Sequence, residues 1–318
     1  MQYPDFFDAV PRLRIRDPLA EFLGVEAVLL FSSGGSANAG ALTTLVGAGD
    51  LIISDRLNHA SIIDGCRLSR ADVVSYDNRN VEALRAALEK APASRKKLIV
   101  SDGVFSMEGG AAPLAEIYAL ARQYDALLVV DEAHALGVVG ENGVGSLSFR
   151  GLRNDSEGVV LTGSLSKAMG GASGGYVAGP RAIIDKLRAQ CRSFIFTQGM
   201  TTANAASALA AVKICRGDPT LRTLLWKNCD RLRAALRARD IPMLDSDSAI
   251  TAVVVGDEDR VRRASVDLLA RGVYAPAIAF PVVARGEARL RLQVSAAHQA
   301  ADLDHAAKAV ADALEAQR

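Results

Sequence analysis

The chain has 318 residues, half of them hydrophobic and few aromatic, which is long enough for one large and one smaller domain with separate cores. Its 37 Lys and Arg and 36 Asp and Glu leave a net charge of +1 and are interspersed, so nothing indicates binding to nucleic acid or an anionic membrane. No apolar run reaches the roughly 18 residues of a membrane span, and the acidic, proline-containing N-terminus disfavours secretion.

The four cysteines show no CxxC or other metal-ligand spacing. They indicate reduced thiols in a cytoplasmic protein rather than a metal site or a disulfide framework.

The first 180 residues alternate short apolar runs with segments of helical period. Asp17 as N-cap, Pro18 in the first turn and Gly24 at the end frame a first helix. Strands are predicted at 27–31, 51–54, 72–75, 97–101, 126–131, 158–162 and 174–178. Helices are predicted between them at 59–70, 80–90 and 114–123. This alternation predicts an α/β fold with a mostly parallel central sheet flanked by helices.

After Pro180 the pattern becomes helical and then mixed. Helices are predicted at 181–190, 200–216, 219–239, 257–271 and 299–316, and strands near 250–255, 272–275 and 288–294. We therefore predict a large domain at 1–216, with an N-terminal arm at 1–24, and a small C-terminal α+β domain at 217–318.

Three segments carry candidate chemistry, and the first is FSSGGSANAG (31–40), which follows an apolar strand and leads into a helix. Small residues let the backbone approach an anion, and the start of a helix favours a phosphate. A tight turn with a serine cap is the alternative. A dinucleotide site is a third possibility because Asp55 ends the next strand, but the GxGxxG pattern is absent.

The second segment is LLVVDEAH (127–134), in which Asp131 ends a buried strand and His134 follows three residues later. Ligands bind at the carboxyl end of the strands in open α/β sheets. A carboxylate there can keep a pyridine nitrogen protonated, which is what pyridoxal 5'-phosphate (PLP) needs to accept electrons. Alternatively, Asp131 only caps the following helix and His134 is a buried histidine with its hydrogen bonds satisfied.

The third segment is TGSLSKAMGGASGG (162–175), in which Lys167 lies among hydroxyls and glycines between two strands. A neutral lysine amine in a crowded loop can form an imine with an aldehyde. The segment does not fit the nucleotide P-loop pattern. A solvated loop lysine is the alternative.

Taken together, these segments and their neighbours resemble the α-oxoamine synthases, PLP enzymes of fold type I. The family includes 8-amino-7-oxononanoate synthase, of biotin biosynthesis, and 2-amino-3-ketobutyrate CoA ligase (glycine C-acetyltransferase). The likeness runs from about Leu19 to the C-terminus. Its markers are SDRLNHASIIDG (54–65), SDGVFSMEGG (101–110), VDEAHALGVVGENGVGS (130–146), TGSLSKAMGGASGGYVAG (162–179), SFIFT (193–197) and ARLRLQVSAAH (288–298).

The resemblance implies a role for each matching residue near the ring of PLP. Lys167 would hold the cofactor as a Schiff base, and Asp131 would pair with its pyridine nitrogen. His59 would stack on the ring face, while His134 and Ser106 would lie near the phenolic oxygen.

It also implies how the remaining groups are bound. Backbone amides around Gly34 and Gly35, with the Ser164 hydroxyl, would hold the phosphate. Thr197 would reach the phosphate of a partner subunit, so the protein would be a homodimer with shared active sites. Arg291 would bind the carboxylate of the amino acid, a task that suits guanidinium.

The activity that follows is condensation of an amino acid with an acyl-CoA. Lys167 would act as base, Asp131 would stabilise the carbanion through the ring, and His134 would assist the developing oxyanion. Two departures from the family bear on this: Gly35 replaces a usual aromatic, and the chain begins several dozen residues later than typical members. A PLP-dependent aminotransferase, racemase or aldolase that uses no CoA is the alternative enzyme, and a non-enzymatic PLP-binding protein is the alternative outside catalysis.

Overall fold

The computed structural model describes residues 16–170 and 173–317, and these form two compact units. The first unit runs to Phe105 and continues with Ala111–Asp218. The second contains the short segment Ser106–Gly110 and the chain from Pro219 onward. Most of the predicted N-terminal arm lies outside the described residues, and so do Gly171 and Ala172.

The two units divide between Asp218 and Pro219, two residues after the predicted division, and the segment Ser106–Gly110 belongs to the second unit. It packs with the second unit because the carbonyl oxygen of Gly109 accepts hydrogen bonds from Ser246 Oγ (3.0 Å) and from the Asp247 N–H (3.1 Å). These contacts join residues more than 130 positions apart, and sequence periodicity does not reveal them.

The strands of the first unit form a seven-stranded sheet. They are β1 Ala27–Phe31, β2 Leu51–Asp55, β3 Asp72–Tyr76, β4 Lys97–Asp102, β5 Ala126–Asp131, β6 Val159–Ser164 and β7 Gly175–Gly179. The order across the sheet is β1-β7-β6-β5-β4-β2-β3. Only β7 runs antiparallel to its neighbours; the pairs β2–β3, β2–β4, β4–β5 and β5–β6 are parallel. The predicted mostly parallel sheet is confirmed.

Helices flank this sheet on both faces. In the first unit they are α1 Arg16–Leu23, α2 Gly34–Leu45, α3 Ala60–Ser69, α4 Val81–Lys90, α5 Leu114–Gln123, α6 Ser146–Phe149, α7 Arg181–Gln190, α8 Arg192–Ile195 and α9 Thr202–Gly217. Alternate strand residues enter two separate cores: Leu128 and Val130 of β5 lie in one and Val129 in the other. Strands buried on both faces explain why their sequences read as unbroken apolar runs.

The second unit is a small α+β domain. Its helices are α10 Thr220–Arg237, α11 Glu258–Ala270 and α12 Ala300–Glu315, and its strands are β8 Ile250–Gly256, β9 Ala277–Ile278 and β10 Ala288–Gln293. The strands form an antiparallel sheet in the order β8-β10-β9. No helix among the described residues is long and apolar enough to cross a membrane.

Two local predictions are wrong. The first helix begins at Arg16, so Asp17 lies in its first turn instead of capping it, although Gly24 ends the helix with φ +69° as predicted. The strand predicted at 272–275 lies instead at Ala277–Ile278. Residues 271–272 form the turn that ends α11, where Gly272 adopts φ +78°, and the β-branched Val273 therefore follows a turn, outside any strand.

Gly163 of β6 is required by the packing of its cross-strand partner Tyr176. A Cβ at residue 163 would lie 2.6 Å from Cζ and Oη of Tyr176, whose side chain is fully buried. We expect Gly163→Ala to lower the free energy of unfolding by about 1–3 kcal/mol, the usual effect of overpacking, as measured by denaturant unfolding.

Gly217→Ala is the matched control because no atom lies within 4 Å of the added methyl. It should change the unfolding free energy by less than about 0.5 kcal/mol. Equal stability of the Gly163→Ala protein and wild type would contradict the proposed packing.

Candidate active site

Several of the polar residues predicted for the site lie at one edge of the seven-stranded sheet. Because β2, β4, β5 and β6 are parallel, their carboxyl ends meet at this edge. Asp102 at the end of β4 and Asp131 at the end of β5 are directly paired in the register, and Thr162 of β6 pairs with Asp131 on its other side. Two acids and a hydroxyl thus form a row across three strands.

Asp131 is buried, with 5% of its surface exposed, and both of its carboxylate oxygens are hydrogen-bonded. Its Oδ1 accepts a hydrogen bond from the Ala133 N–H at 2.8 Å, and its Oδ2 accepts one from Asn38 Nδ2 at 2.7 Å. Each carboxylate oxygen has two lone pairs, so both keep acceptor capacity. The carboxylate can therefore bind one more N–H donor without losing these contacts.

The turn after β1 forms the start of α2, as the sequence predicts for a phosphate turn. Ser33 caps the helix in a capping box with Ser36, and Gly34 and Gly35 are its first two residues. N–H groups in the first turn of a helix have no acceptor within it, and the helix dipole adds positive potential there. The predicted serine cap is therefore present, and the anion site at the same turn stays a prediction.

Close packing around this turn requires glycine. A Cβ at Gly34 would lie 3.1 Å from Ser164 Cβ, and a Cβ at Gly175 would lie 2.2 Å from the carbonyl oxygen of Ser33. There is therefore no room for a side chain at these two positions, where the turn packs against the end of β6 and the start of β7. This close approach brings Ser164 beside the predicted phosphate amides.

Lys167 follows β6 by three residues in the same region. Ser164 Oγ lies 2.7 Å from Ser166 Oγ and accepts a hydrogen bond from the Ser166 N–H, which shapes the turn that carries the lysine. Burial raises the pKa of Asp102, and the positive charge of Lys167 opposes this shift, so the amine lies within electrostatic reach of the acidic row. The structure thus brings Lys167 to the same edge as Asp131.

His59 lies at the same edge as the N-cap of α3. Its backbone N–H donates to Asp102 Oδ2 at 2.9 Å, and its Nδ1 lies 2.8 Å from Ser61 Oγ. Burial, and then repulsion from Asp131, raise the pKa of Asp102 well above its usual range. The Asp102 side chain thus holds the backbone of His59, the residue that is predicted to stack on the cofactor ring.

Glu132, which lies between Asp131 and His134, braces the loop after β5. It is fully buried and accepts hydrogen bonds from the Ser146 N–H (2.8 Å) and Ser146 Oγ (2.7 Å) at the start of α6. His134 is partly buried on the segment held by this contact. Its predicted position near the phenolic oxygen stays a prediction.

Thr197 lies on an exposed segment after α8. Its Oγ1 donates to the Ser193 carbonyl at 2.8 Å, and Ser193 Oγ donates to the Ser36 carbonyl in the first turn of α2 at 3.1 Å. The segment is thus tied to the phosphate turn of its own chain. The predicted contact with a partner's phosphate stays a prediction.

Ser106 and Arg291 lie together in the second unit. Arg291 Nη1 donates to the Ser106 carbonyl at 3.2 Å, and its Nε is buried with no hydrogen-bond partner among the described residues. Two positions earlier in β10, Arg289 donates through Nη1 to Glu108 and through Nη2 to Glu287, each at 3.1 Å. Arg291 thus has a buried donor left for an anion, whereas the guanidinium of Arg289 is already paired with two carboxylates.

Sequence reasoning missed three residues of the site: Asn38, Asp102 and Glu132. Each lies in a segment that it had singled out, and an acid at the end of a parallel strand was a usable signal for Asp102. Asn38 and Glu132 make their contacts through side chains to distant parts of the chain, for which the sequence offers no pattern.

These residues suit a flat, phosphorylated aldehyde that carries a basic ring nitrogen. The first turn of α2 can bind the phosphate, the acceptor capacity of Asp131 fits a pyridinium N–H, and Lys167 supplies an amine for the aldehyde. Gly34 and Gly175 allow the turn, β6 and β7 to pack closely, which places the Ser164 side chain beside the first turn of α2. The donor set of the site therefore fits PLP.

Comparison with known proteins agrees with this fit. The sequence model for aminotransferase class I and II matches residues 8–310. The chain belongs to this family.

Its relatives include named enzymes. It is 44% identical over 299 residues to an 8-amino-7-oxononanoate synthase of Symbiobacterium thermophilum, a match covering 94% of this chain and 76% of that protein. It is 42% identical over 288 residues to 8-amino-7-oxononanoate synthase 1 of Bacillus subtilis, covering 91% and 73%.

Solved structures give the same result. A serine palmitoyltransferase of Sphingomonas wittichii superposes with a TM-score of 0.91 at 34% identity, covering 95% of this chain and 75% of that one. The 8-amino-7-oxononanoate synthase of Francisella tularensis superposes with a TM-score of 0.81 at 25% identity, covering 95% and 86%. The resemblance to the α-oxoamine synthases and the predicted fold type I architecture are confirmed.

The buried Glu132 should give stability a measurable pH dependence. Burial, with a smaller contribution from Asp131, raises its pKa to about 7, against the hydrogen bonds from Ser146. Between the ordinary pKa of a glutamate and about 7, the carboxyl of Glu132 is deprotonated in the unfolded chain but protonated in the folded protein. Its contribution to stability is therefore greatest at low pH and is lost as pH rises through that window. The unfolding free energy of wild type minus that of Glu132→Gln should fall between pH 5 and 7, by at most about 1.4 kcal/mol per pH unit.

Glu141→Gln provides the control, since it removes an exposed carboxyl from the same loop. A wild-type advantage that grows with pH would contradict the assignment.

Proposed function

We propose that the protein is a PLP-dependent acyltransferase that condenses an amino acid with an acyl-CoA thioester and releases free CoA. The observation that carries the proposal is the joint placement, at one sheet edge, of the phosphate turn at Gly34 and Gly35, the buried Asp131 and Lys167. The relatives named 8-amino-7-oxononanoate synthase support this reaction over an aminotransferase, racemase or aldolase that uses no CoA. A solved structure of serine palmitoyltransferase (SPT) with PLP superposes with a TM-score of 0.91 and supports PLP as the cofactor.

Bound PLP would supply an electron sink that stabilises negative charge on the α-carbon of an amino acid. On our proposal, the first-turn amides of α2 and the Ser164 hydroxyl hold its phosphate. Asp131 would accept a hydrogen bond from the ring nitrogen and keep that nitrogen protonated. His59 would stack on the ring, and Ser106 would serve the phenolic oxygen.

Lys167 has two tasks in this proposal. Its Nζ would hold the cofactor covalently at the aldehyde carbon. As a neutral amine it would act as the base that takes the proton from the α-carbon of the substrate. His134 donates a hydrogen bond to the oxygen of the thioester carbonyl, on which negative charge develops when the α-carbon attacks.

Arg291 binds the carboxylate of the amino acid. Its buried, unpaired Nε supports this role, because a desolvated guanidinium N–H is costly unless an anion completes its hydrogen bonds. Arg289 is less suited to this role, since its guanidinium is already paired with Glu108 and Glu287.

The name of the relatives specifies the substrates to test. In 8-amino-7-oxononanoate, carbons 1–7 correspond to an acyl chain with a terminal carboxylate, and carbons 8 and 9 correspond to alanine after loss of carbon dioxide. We propose alanine and the CoA monothioester of a seven-carbon dicarboxylic acid as substrates. We further propose a homodimer in which Thr197 reaches the partner's cofactor phosphate, in the cytoplasm and without a metal ion.

The direct test is release of free thiol. Wild type with PLP should release CoA only when the amino acid and the acyl-CoA are both present. Arg291→Lys should raise the KM for the amino acid roughly 10- to 100-fold, as expected for a lost charge-assisted hydrogen bond, and change the KM for the acyl-CoA by less than about threefold.

Arg231→Lys serves as the control, because it removes the two hydrogen bonds that Arg231 donates to Asp304 on the surface of the same unit. Its kinetics should match wild type. Absence of thiol release from any pair of amino acid and acyl-CoA, with PLP bound, would refute the proposed function.

A further inference from the structure

Asn38 lies at the meeting point of the elements that form the site. It is the fifth residue of α2, and 2% of its surface is exposed. Its Nδ2 donates to Asp131 Oδ2 at 2.7 Å and to Ser61 Oγ at 2.9 Å, and its Oδ1 accepts from Thr162 Oγ1 at 2.5 Å. Both sides of the amide are therefore engaged by other side chains.

The chemistry of its partners fixes the orientation of this amide. The carboxylate of Asp131 can only accept a hydrogen bond, so the NH2 group of Asn38 must face it. The hydroxyl of Thr162 can donate, and it donates to the amide oxygen on the other side. Reversing the amide would place its oxygen against the Asp131 carboxylate and leave a buried acceptor unsatisfied.

These hydrogen bonds connect three parts of the proposed cofactor site. Asn38 lies one helical turn beyond Gly34 and Gly35, so it moves with the predicted phosphate amides. Through Ser61 it reaches His59, whose Nδ1 lies 2.8 Å from the same hydroxyl oxygen. A single side chain thus links the phosphate turn, the acid and the histidine.

We propose that Asn38 is a positioning residue that orients the Asp131 carboxylate toward the ring nitrogen of the cofactor and keeps it in register with the phosphate turn and His59. This inference rests on the proposed function, because it takes Asp131 as the partner of that nitrogen. Asn38 touches Asp131 and acts on the cofactor only through it. Loss of the amide frees Asp131 Oδ2 to rotate and removes one of its two hydrogen bonds.

Asn154 shows what a buried asparagine with a purely structural role does in the same unit. Its Nδ2 donates to the carbonyl oxygens of Leu23 (2.9 Å) and Val144 (3.1 Å), and 5% of its surface is exposed. It is as buried as Asn38 but bonds only the backbone. Asn154→Ala therefore separates loss of a buried amide from loss of contact with Asp131.

The test compares holoenzymes of wild type, Asn38→Ala, Asn38→Asp and Asn154→Ala. Equilibrium dialysis against a series of PLP concentrations gives the dissociation constant, the visible spectrum reports the surroundings of bound PLP, and thermal unfolding reports stability. Asn38→Asp keeps the shape of the side chain but replaces the donor with an acceptor facing Asp131, so it covers the case in which Asn38→Ala does not fold.

We expect both Asn38 variants to bind PLP roughly 10- to 100-fold more weakly, as for loss of a hydrogen bond to a charged group, and to shift the absorbance maximum. Asn154→Ala should unfold at a lower temperature yet keep the wild-type spectrum and a dissociation constant within about twofold of wild type. Wild-type affinity and spectrum in Asn38→Asp, or an equal loss of PLP in Asn154→Ala, would overturn the inference and leave the proposed function intact. Wild-type protein that binds no PLP would overturn the proposed function itself.

Discussion

The carboxylate of Asp131 lies at the end of a strand buried on both sides, and a charge in such a place is stable only when hydrogen bonds replace the lost water. The Ala133 N–H and the Asn38 amide provide them. Both donors depend on the fold, since Ala133 follows β5 and Asn38 lies on α2. The parallel sheet, the helix after β1 and the site are therefore specified together.

A second consequence of parallel pairing is that Asp102 lies directly beside Asp131. Neighbouring carboxyl groups repel each other when both are charged. The raised pKa of Asp102 follows from burial and from the neighbouring Asp131. Lys167 opposes the shift by bringing positive charge to the same edge. The two carboxyl groups and the amine thus lie at the same sheet edge, around the space proposed for the cofactor.

Much of the fold and of the candidate site could be predicted from the sequence, because buried strands appear as apolar runs and tight turns appear as glycine-rich segments. Asp131 and Lys167 could be singled out as candidates because Asp131 ends such a run and Lys167 follows one. Asn38 was not found as a site residue, because its meaning depends on a contact with a residue 93 positions away. The strand at Ala277–Ile278 was misplaced because β9 has only two residues, too few to show a period.

The most direct measurement of the central claim is to reduce the PLP-loaded protein with borohydride and map the labelled peptide. Nζ of Lys167 should carry the reduced pyridoxyl group, and Lys167→Ala should carry none at the corresponding peptide. A label on another lysine, such as Lys186 or Lys213, or a protein that stays colourless after PLP is supplied, would contradict the account.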